Sequence, residues 1–220
     1  MAVKPAEIAM KRTEIVIVGC GPGSPEYLTA AARQAASRAG VLVGSPRLLA
    51  LFAEHGGRKI ALGRGTDAAL GQIAAARRAG QSVAVLVSGD PGLFSLARHV
   101  LAQFGREQCV VVPGISSVQV ALGRLGLDWA DARLVSAHGR PPDVEPEQLA
   151  SADKVAILAG GRRGREWSAR AAAALQASHV AYLCENLTLK DERVRPVAPH
   201  EIQQAASLSI ILLVRRSLVP

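Results

Sequence analysis

The residues with the clearest chemical potential form a glycine-rich loop behind the first apolar run. The run Glu14–Val18 leads into Gly19–Pro25, with the letters GCGPGSP, and an alanine-rich helical pattern follows. A turn of this kind between a strand and a helix lets backbone N–H groups approach a ligand closely. It is not a phosphate-binding P-loop, because no lysine follows, and the dinucleotide pattern GxGxxG lacks its third glycine at Ser24. Taken alone, the loop is equally compatible with a close turn that binds nothing.

Cysteine use points away from thiol and metal chemistry. Cys20 lies inside the glycine-rich loop, but no histidine is placed by sequence to activate it, so a small filler side chain is the favoured interpretation over a nucleophile. Cys20, Cys109 and Cys184 lie far apart and without a CxxC pair. The sequence therefore excludes a disulfide scaffold and a zinc ribbon, predicts no metal site and fits a reducing compartment.

Three further turns follow apolar runs and contain residues suited to ligand binding. They are Ser88–Gly92 (SGDPG), Pro113–Ser117 (PGISS) and Ala159–Gly161 (AGG). Ligands bind at the carboxyl ends of the strands in parallel sheets, so these turns are expected to line one site. Asp90 either accepts hydrogen bonds from a ligand or caps the helix after it, and capping is the favoured interpretation.

The elements that position these turns are short apolar runs alternating with helical stretches. Continuous rather than alternating hydrophobicity indicates strands buried on both faces, which predicts an α/β fold with mostly parallel sheets. The Pro113-Gly114 pair predicts a boundary between a domain at 1–113 and a domain at 114–220. The predicted strands are Glu14–Val18, Val41–Val43, Val83–Val87, Val110–Val112, Leu134–Ser136, Val155–Leu158, Val180–Cys184 and Ile210–Val214.

The amino-acid composition limits the classes of partner that this chain could bind. The 220 residues carry a net charge of +8, and 21 arginines stand against 5 lysines. Arginine grips carboxylate or phosphate with two bonds, so an anionic partner is allowed, although coding bias explains the excess as well. Aromatic residues make up 3% of the chain, which argues against stacking on nucleic acid. No apolar run is long enough to span a membrane, and the first residues lack an apolar signal core, so a cytoplasmic location is expected.

Taken together, the sequences of these turns resemble those of one known protein family. The ordered segments VGCGPGSPEYLT (Val18–Thr29), SGDPGLF (Ser88–Phe94) and VPGISS (Val112–Ser117) resemble the S-adenosylmethionine-dependent tetrapyrrole (corrin and porphyrin) methyltransferases. The resemblance covers essentially the whole chain. It implies two α/β domains with a ligand cleft between them and S-adenosylmethionine as methyl donor. Together with the composition, it leads us to expect no metal bound by the protein and no nucleic-acid or membrane partner.

Three other segments resemble one type within this family. GSPRLLALF (Gly44–Phe52), SAHGR (Ser136–Arg140) and CENLTLKDERV (Cys184–Val194) are similar to the CbiE type, which methylates ring carbon 5 of precorrin-7 or cobalt-precorrin-7 in cobalamin biosynthesis. The chain also resembles the amino-terminal half of larger enzymes that methylate carbons 5 and 15, and the carbon-15 half is expected to be absent. The resemblance further implies a homodimer and leaves room for a separate CbiT-type carbon-15 methyltransferase as partner.

The resemblance also assigns residues to roles. Donor contacts are expected at Pro22, Ser88, Gly89, Asp90, Leu93, Phe94, Ser116, Ser117, Ala159 and Gly160. Contacts to the anionic tetrapyrrole are expected at Gly21, Gly23, Arg47, Arg140, Glu185 and Asn186. Methyl transfer to carbon needs alignment more than a catalytic triad, but the product must lose a proton. His138 is the candidate base, because histidine exchanges protons near neutral pH. A structural histidine bonded to backbone is the alternative and the favoured interpretation of His138, and Glu185 and Asn186 could equally satisfy a buried turn.

Other functions remain open on the sequence. A methyltransferase of the same fold acting on RNA or protein would tolerate the basic charge, although the SAHGR and CENLTLKDER segments argue against it. A dinucleotide-dependent reductase is disfavoured by Pro22 and by the missing third glycine. A noncatalytic module that binds a tetrapyrrole or a partner is compatible with the turns alone.

Overall fold

Residue contacts group the chain into two compact units. The computed structural model describes residues 14–63, 65–138 and 141–219. The first unit is Met1–Ser116 and the second is Ser117–Pro220. Among the described residues, no helix is both long and apolar enough to cross a membrane.

The first unit contains a five-stranded sheet in which every pair of neighbours is parallel. Its order is β3-β2-β4-β1-β5. The inner strands are buried along their whole length, as their continuous Val, Ile and Leu runs predict. The strands are β1 (Ile15–Gly19), β2 (Val41–Gly44), β3 (Arg58–Ala61), β4 (Val83–Val87) and β5 (Cys109–Val112).

Helices cover both faces of this sheet. Alternate residues of β1 belong to different cores: Val16 and Val18 pack with one pair of helices, Ile15 and Ile17 with the other pair. The first pair is α1 (Ala30–Ser37) and α2 (Pro46–Ala50), and the second pair is α3 (Thr66–Arg78) and α4 (Ala97–Phe104). Short 3-10 helices form at Pro25–Tyr27 and Arg106–Gln108.

The second unit also contains a five-stranded sheet, in the order β6-β7-β10-β8-β9. The strands are β6 (Arg133–His138), β7 (Lys154–Gly160), β8 (His179–Glu185), β9 (Arg193–Pro196) and β10 (Ser209–Arg215). The α-helices are α5 (Ser117–Arg124) and α6 (Gly161–Leu175), with 3-10 helices at Pro146–Leu149, Pro199–Gln204 and Arg216–Leu218.

The direction of the strands in this second sheet corrects the expectation of mostly parallel sheets. The first sheet confirms that expectation, but in the second sheet only β6 and β7 are parallel neighbours. The pairs β7–β10, β10–β8 and β8–β9 are antiparallel. The physical reason is clear for β8 and β9, because the seven residues between Glu185 and Arg193 are too few for a crossover between parallel strands.

Candidate functional site

The parallel pairing of the first sheet places its strand ends along one edge. Gly19, which ends β1, pairs with Val87, which ends β4, and Val18 pairs with Val112, which ends β5. Three connections therefore leave the sheet side by side: the glycine-rich loop (Gly19–Pro25), the β4 turn (Ser88–Phe94) and the β5 turn (Pro113–Ser116). The fold brings together the residues that the sequence predicts for donor binding in this unit.

These three connections pack backbone against backbone. Gly21 and Gly89 exchange N–H···O bonds of 3.3 and 2.8 Å and both have positive φ, +73° and +64°. A Cβ on Gly114 would lie 2.4 Å from the Gly89 carbonyl oxygen, and a Cβ on Gly19 would lie 2.6 Å from the Gly114 nitrogen. Only glycine fits at positions 19 and 114, because any side chain would separate the turns.

The Asp90 carboxylate joins two of the turns. Its Oδ1 accepts a 2.7 Å hydrogen bond from Gly92 N–H, and its Oδ2 accepts a 3.1 Å bond from Gly114 N–H. The favoured interpretation of Asp90 as a helix cap is wrong, because α4 begins only at Ala97. Asp90 instead holds the β4 turn against the β5 turn, and a contact of Asp90 with the donor stays a prediction.

Arg47 joins the glycine-rich loop to the β4 turn. It lies half-buried in α2, where its Nη1 donates to the Pro22 carbonyl oxygen at 3.4 Å and its Nη2 donates to the Ser88 hydroxyl at 2.9 Å. The predicted substrate residue Arg47 therefore touches two residues predicted to contact the donor. Gly21 and Gly23, also predicted for the substrate, are buried in the loop.

Cys20 is not a nucleophile in this site. Its side chain is fully buried, and its thiol donates to the Val18 carbonyl oxygen. Burial raises the pKa of the Cys20 thiol to about 12, against smaller opposing effects of the Val87 backbone and Arg47. The thiol therefore stays protonated at neutral pH and fills space, as the sequence favours.

The remaining predicted donor residues of the first unit differ in exposure. Phe94 is half exposed and adopts φ = +47°, which is uncommon for a bulky residue. Leu93 is partly buried, and its N–H donates to the Asp90 carbonyl oxygen at 3.1 Å. Ser116 is buried at the end of the first unit, and Ser117 begins α5 in the second.

The predicted residues of the second unit also meet at one sheet edge. The strands β6, β7 and β8 run in the same direction, since β6 is parallel to β7 and both β7 and β8 are antiparallel to β10. Ser209, the first residue of β10, pairs with Ala159 on one side and with Glu185 on the other. His138 and Gly160 pair in the next strand positions. This edge thus carries the candidate base and four further predicted residues, Ala159, Gly160, Glu185 and Asn186.

His138 lies directly against Gly160. The side chain of His138 is exposed at the end of β6, and a Cβ on Gly160 would lie 1.9 Å from its Nδ1. Because glycine has no side chain, the imidazole of His138 can pack directly against the backbone of Gly160. This placement leaves His138 accessible at the edge, which a general base requires.

Glu185 bonds to the segment that precedes β10, and Asn186 bonds within the loop that follows β8. Glu185 Oε1 accepts a 2.7 Å bond from Ala206 N–H, and Asn186 Nδ2 donates to Asp191 Oδ2 at 2.7 Å. Asn186 has φ = +51°, a left-handed conformation that asparagine tolerates better than most residues. These bonds match the alternative that both side chains satisfy a turn, and a contact with substrate stays a prediction. Arg140, the other predicted anchor, lies outside the described residues.

The sequence analysis missed the ion pair that holds this loop. Glu192 receives two bonds from Arg124 at the end of α5, at 2.6 and 3.2 Å, and a third from Thr188 N–H at 2.5 Å. Arg124 lowers the pKa of the Glu192 carboxyl by this hydrogen bonding. Thr188 adopts φ = +70°, a marked outlier for a β-branched residue. No sequence signal joins positions 124 and 192, because they meet only in the folded unit.

Metal-ligating side chains do not form a cluster of three or more within the part of the chain that the structure describes. What both sheet edges present is chiefly backbone, and Asp90, Arg47, His138 and Glu185 are among the charged or titratable groups placed there. Such an arrangement can hold and orient a ligand, and it can accept one proton at the His138 imidazole.

Comparison with known proteins gives concordant results. The family model for tetrapyrrole (corrin/porphyrin) methylases matches residues 14–202. A cobalt-precorrin-7 C(5)-methyltransferase of Salmonella typhimurium is 39% identical over 181 residues, which cover 82% of this chain and 88% of the relative.

Two solved structures show the same fold. The cobalamin biosynthesis precorrin-6Y methylase of Archaeoglobus fulgidus superposes with a TM-score of 0.70 at 27% identity, covering 94% of this chain and all of that one (100%). The uroporphyrin-III C-methyltransferase of Thermus thermophilus, complexed with S-adenyl homocysteine, gives 0.73 at 23% identity, covering 91% and 92%.

Proposed function

The chain belongs to the tetrapyrrole methylase family, and from this premise we propose that it transfers a methyl group from S-adenosylmethionine to ring carbon 5 of cobalt-precorrin-7 or of its metal-free counterpart precorrin-7. The observation that carries the proposal is the 39% identity, over most of both chains, with a cobalt-precorrin-7 C(5)-methyltransferase. The segments SAHGR and CENLTLKDERV support the choice of substrate within the family.

The β4 turn has the features that a bulky donor needs. S-adenosylmethionine supplies a methyl group that is already activated on a sulfonium. The turn exposes Ser88 and Gly92 and presents the half-exposed ring of Phe94 as apolar surface. Asp90 fixes the shape of this turn through its two backbone bonds. The chain then aligns the methyl group with the acceptor carbon and excludes water. This positioning lowers the activation free energy of methyl transfer by roughly several kcal/mol.

In the proposed assignment each unit supplies its own donor contacts. The first unit supplies Pro22, Ser88, Gly89, Asp90, Leu93, Phe94 and Ser116, and the second supplies Ser117, Ala159 and Gly160. Their support is that the turns of the first unit, and Ala159 and Gly160 in the second, lie at the carboxyl edge of a sheet, where strands present backbone to ligands. Ser117 directly follows the β5 turn and begins α5.

His138 is the proposed base. Transfer forms a bond between the methyl carbon and ring carbon 5 while the carbon–sulfur bond breaks, and the product loses a proton. The His138 imidazole would accept that proton. Its exposed position against Gly160 at the end of β6 supports the role.

Substrate contacts are proposed at Gly21, Gly23, Arg47, Arg140, Glu185 and Asn186. Arginines suit this role because the tetrapyrrole carries several carboxylates, which a planar guanidinium binds with two parallel bonds. Arg47 has the strongest structural support, since it lies half-buried between two of the turns.

The broader organisation is proposed on the same basis. We place the domain boundary at Pro113, three residues before the first compact unit ends. A homodimer and an association with a separate carbon-15 methyltransferase rest on the family resemblance, and a cytoplasmic location rests on the cysteine usage and the apolar pattern of the sequence.

The experiment is transfer of an isotope-labelled methyl group. The purified chain is incubated with labelled S-adenosylmethionine and, in parallel, with cobalt-precorrin-7, precorrin-7 and total RNA. We expect a gain of one methyl group on a corrin precursor, and comparison of the two precursors shows whether cobalt is required. Label in RNA but in neither precursor, or label in none of the three, would overturn the proposal.

A further inference from the structure

The charge on Arg47 has no counter-ion among the residues that the structure describes. Arg47 is half-buried in α2, and its described partners are neutral: the Pro22 carbonyl and the Ser88 hydroxyl. Burial lowers the pKa of the Arg47 guanidinium, yet guanidinium groups stay protonated in proteins. A half-buried positive charge without an anion is costly, so the site favours a ligand that brings one.

The titratable group that affects the pKa of Arg47 does not neutralise its charge. Cys20 is the group that acts on Arg47 electrostatically, but burial raises the pKa of its thiol to about 12 and keeps it neutral. Some arginines elsewhere in the fold have carboxylate partners: Arg124 pairs with Glu192, and Arg195 pairs with Glu201. Arg47 is therefore unlike these structural arginines.

The bonds to Pro22 and Ser88 do not use all the N–H donors of the Arg47 guanidinium. A guanidinium has five N–H donors, and the bonds to Pro22 and Ser88 use one donor on each Nη. The bond to Pro22 is long, at 3.4 Å, so it contributes less than the 2.9 Å bond to Ser88. The remaining N–H groups suit a planar anion such as a carboxylate.

We propose that Arg47 binds a carboxylate of a reactant and that, through Pro22 and Ser88, this contact holds the glycine-rich loop against the β4 turn. The inference rests on the proposed function, because both of its reactants carry carboxylates. One source is an acid side chain of the tetrapyrrole, and the other is the amino-acid end of the methyl donor.

The test is calorimetric titration of the unaltered chain, Arg47→Met and Arg47→Lys with three probes. S-adenosylhomocysteine carries the amino-acid carboxylate, 5′-methylthioadenosine lacks it, and cobalt-precorrin-7 carries the carboxylates of the ring. Loss of a charge-assisted contact predicts that Arg47→Met binds one carboxylate probe about tenfold more weakly or worse. Arg47→Lys is expected to bind with intermediate affinity, because lysine keeps the charge but not the planar fork.

The pattern of loss identifies the source. Weaker binding of S-adenosylhomocysteine with unchanged binding of 5′-methylthioadenosine assigns the contact to the donor, and weaker binding of cobalt-precorrin-7 alone assigns it to the substrate. Arg33→Met is the matched control, because Arg33 is exposed and makes one long bond, 3.4 Å, to the Pro25 carbonyl. It removes the same charge from the same unit, and we expect it to leave the affinity for every probe unchanged.

Two results would overturn the inference. Equal losses for all three probes, or equal losses in Arg33→Met, would mean that Arg47 only maintains the fold or the overall charge. Unchanged binding of both carboxylate probes in Arg47→Met would mean that no carboxylate binds there. If the unaltered chain binds neither S-adenosylhomocysteine nor cobalt-precorrin-7, the proposed function fails together with the inference. The thermal midpoint of Arg47→Lys shows whether that variant is folded.

Discussion

Asp90 illustrates how one side chain can organise a site built of backbone. Its two oxygens accept hydrogen bonds from Gly92 and Gly114, which belong to turns separated by more than twenty residues. Charge-assisted bonds to backbone amides are among the stronger hydrogen bonds in proteins. The carboxylate therefore fixes the shape of the β4 turn, whether or not it also touches the donor.

Replacing Asp90 should weaken donor binding. Asp90→Ala leaves two backbone N–H groups without their acceptor, so we expect affinity for S-adenosylhomocysteine to fall about tenfold or more by calorimetry. Asp90→Asn retains one acceptor oxygen and should lose less. Asp67→Ala, at an exposed position in the first turn of α3, is the matched control. Unchanged affinity in Asp90→Ala would contradict the role given to this residue.

His138 should matter for turnover rather than for donor affinity. His138→Ala removes the proposed proton acceptor but leaves the β4 turn intact, so kcat is expected to fall while the Kd for S-adenosylhomocysteine stays the same. His200→Ala, at an exposed position in the 3-10 helix Pro199–Gln204, serves as control. A His138→Ala enzyme with the turnover of the unaltered chain would make His138 a structural residue.

At the residue scale the sequence predicted positions better than interactions. The glycine-rich loop and the SGDPG letters placed Asp90 correctly at a strand end, because turn chemistry is local. The partner of Asp90, Gly114, depends on how β1, β4 and β5 pair, and the partner of Glu192 depends on the placement of α5. Contacts of this kind follow from tertiary packing, which a single sequence does not encode in any short pattern.

At the scale of elements, the glycines of the strand-end turns set how closely those turns pack. Gly114 and Gly19 have no room for a Cβ, whereas Gly71 in the interior of α3 has nothing within 4 Å of one. The same substitution should therefore have opposite effects at positions 114 and 71.

Gly114→Ala should destabilise the chain and Gly71→Ala should stabilise it. We expect the free energy of unfolding to fall by about 1–3 kcal/mol for the overpacked variant. It should rise by about 0.5–1 kcal/mol for the helical variant, since alanine is the better helix former. Urea denaturation of both variants measures this. A Gly114→Ala protein as stable as the unaltered chain would contradict the close packing of the turns.

The loop after β8 should be stabilised in a pH-dependent way. Arg124 lowers the pKa of Glu192 below its ordinary value of 4.5, so the charged form favours the folded state. This contribution is fully present above the ordinary pKa and is lost as the pH falls through the lowered one. The difference in unfolding free energy between the unaltered chain and Glu192→Gln should be constant from neutral pH to about pH 5 and shrink below that.

Denaturation at a series of pH values tests this expectation. Glu147→Gln is the control, because Glu147 is exposed in the 3-10 helix Pro146–Leu149. A difference that grows as the pH falls would mean that Glu192 does not depend on its charge in the fold.

Two strands at sheet edges were not predicted from the sequence. The strands missed are β3 and β9, both at sheet edges, and their residues are largely exposed and rich in charge. They lack the continuous apolar run that identified the buried strands. The alanine-rich pattern after the glycine-rich loop predicts one helix over Pro25–Arg38, but Ser24 caps a 3-10 turn at Pro25–Tyr27 and Thr29 then caps α1. Apolar periodicity alone did not separate these two short elements.

At the scale of the whole molecule, two units use the same principle. Each one presents several of the predicted residues at the carboxyl ends of strands that run in the same direction, although their sheets differ in topology. The sequence predicted this edge because each apolar run ends in a turn with glycine, serine or a polar residue. It did not predict that β10 lies between β7 and β8, since a continuous apolar run indicates burial on both faces but does not give the order of the strands in the sheet.

We infer that strand-end turns, rather than a set of charged catalytic side chains, bind the methyl donor. A crystal structure of the chain with S-adenosylhomocysteine tests it most directly through the distances from the ligand to backbone atoms. We predict hydrogen bonds, at about 2.7–3.2 Å, between the ligand and the backbone of the β4 turn. Ordered S-adenosylhomocysteine that contacts no residue of Ser88–Phe94 would contradict the account.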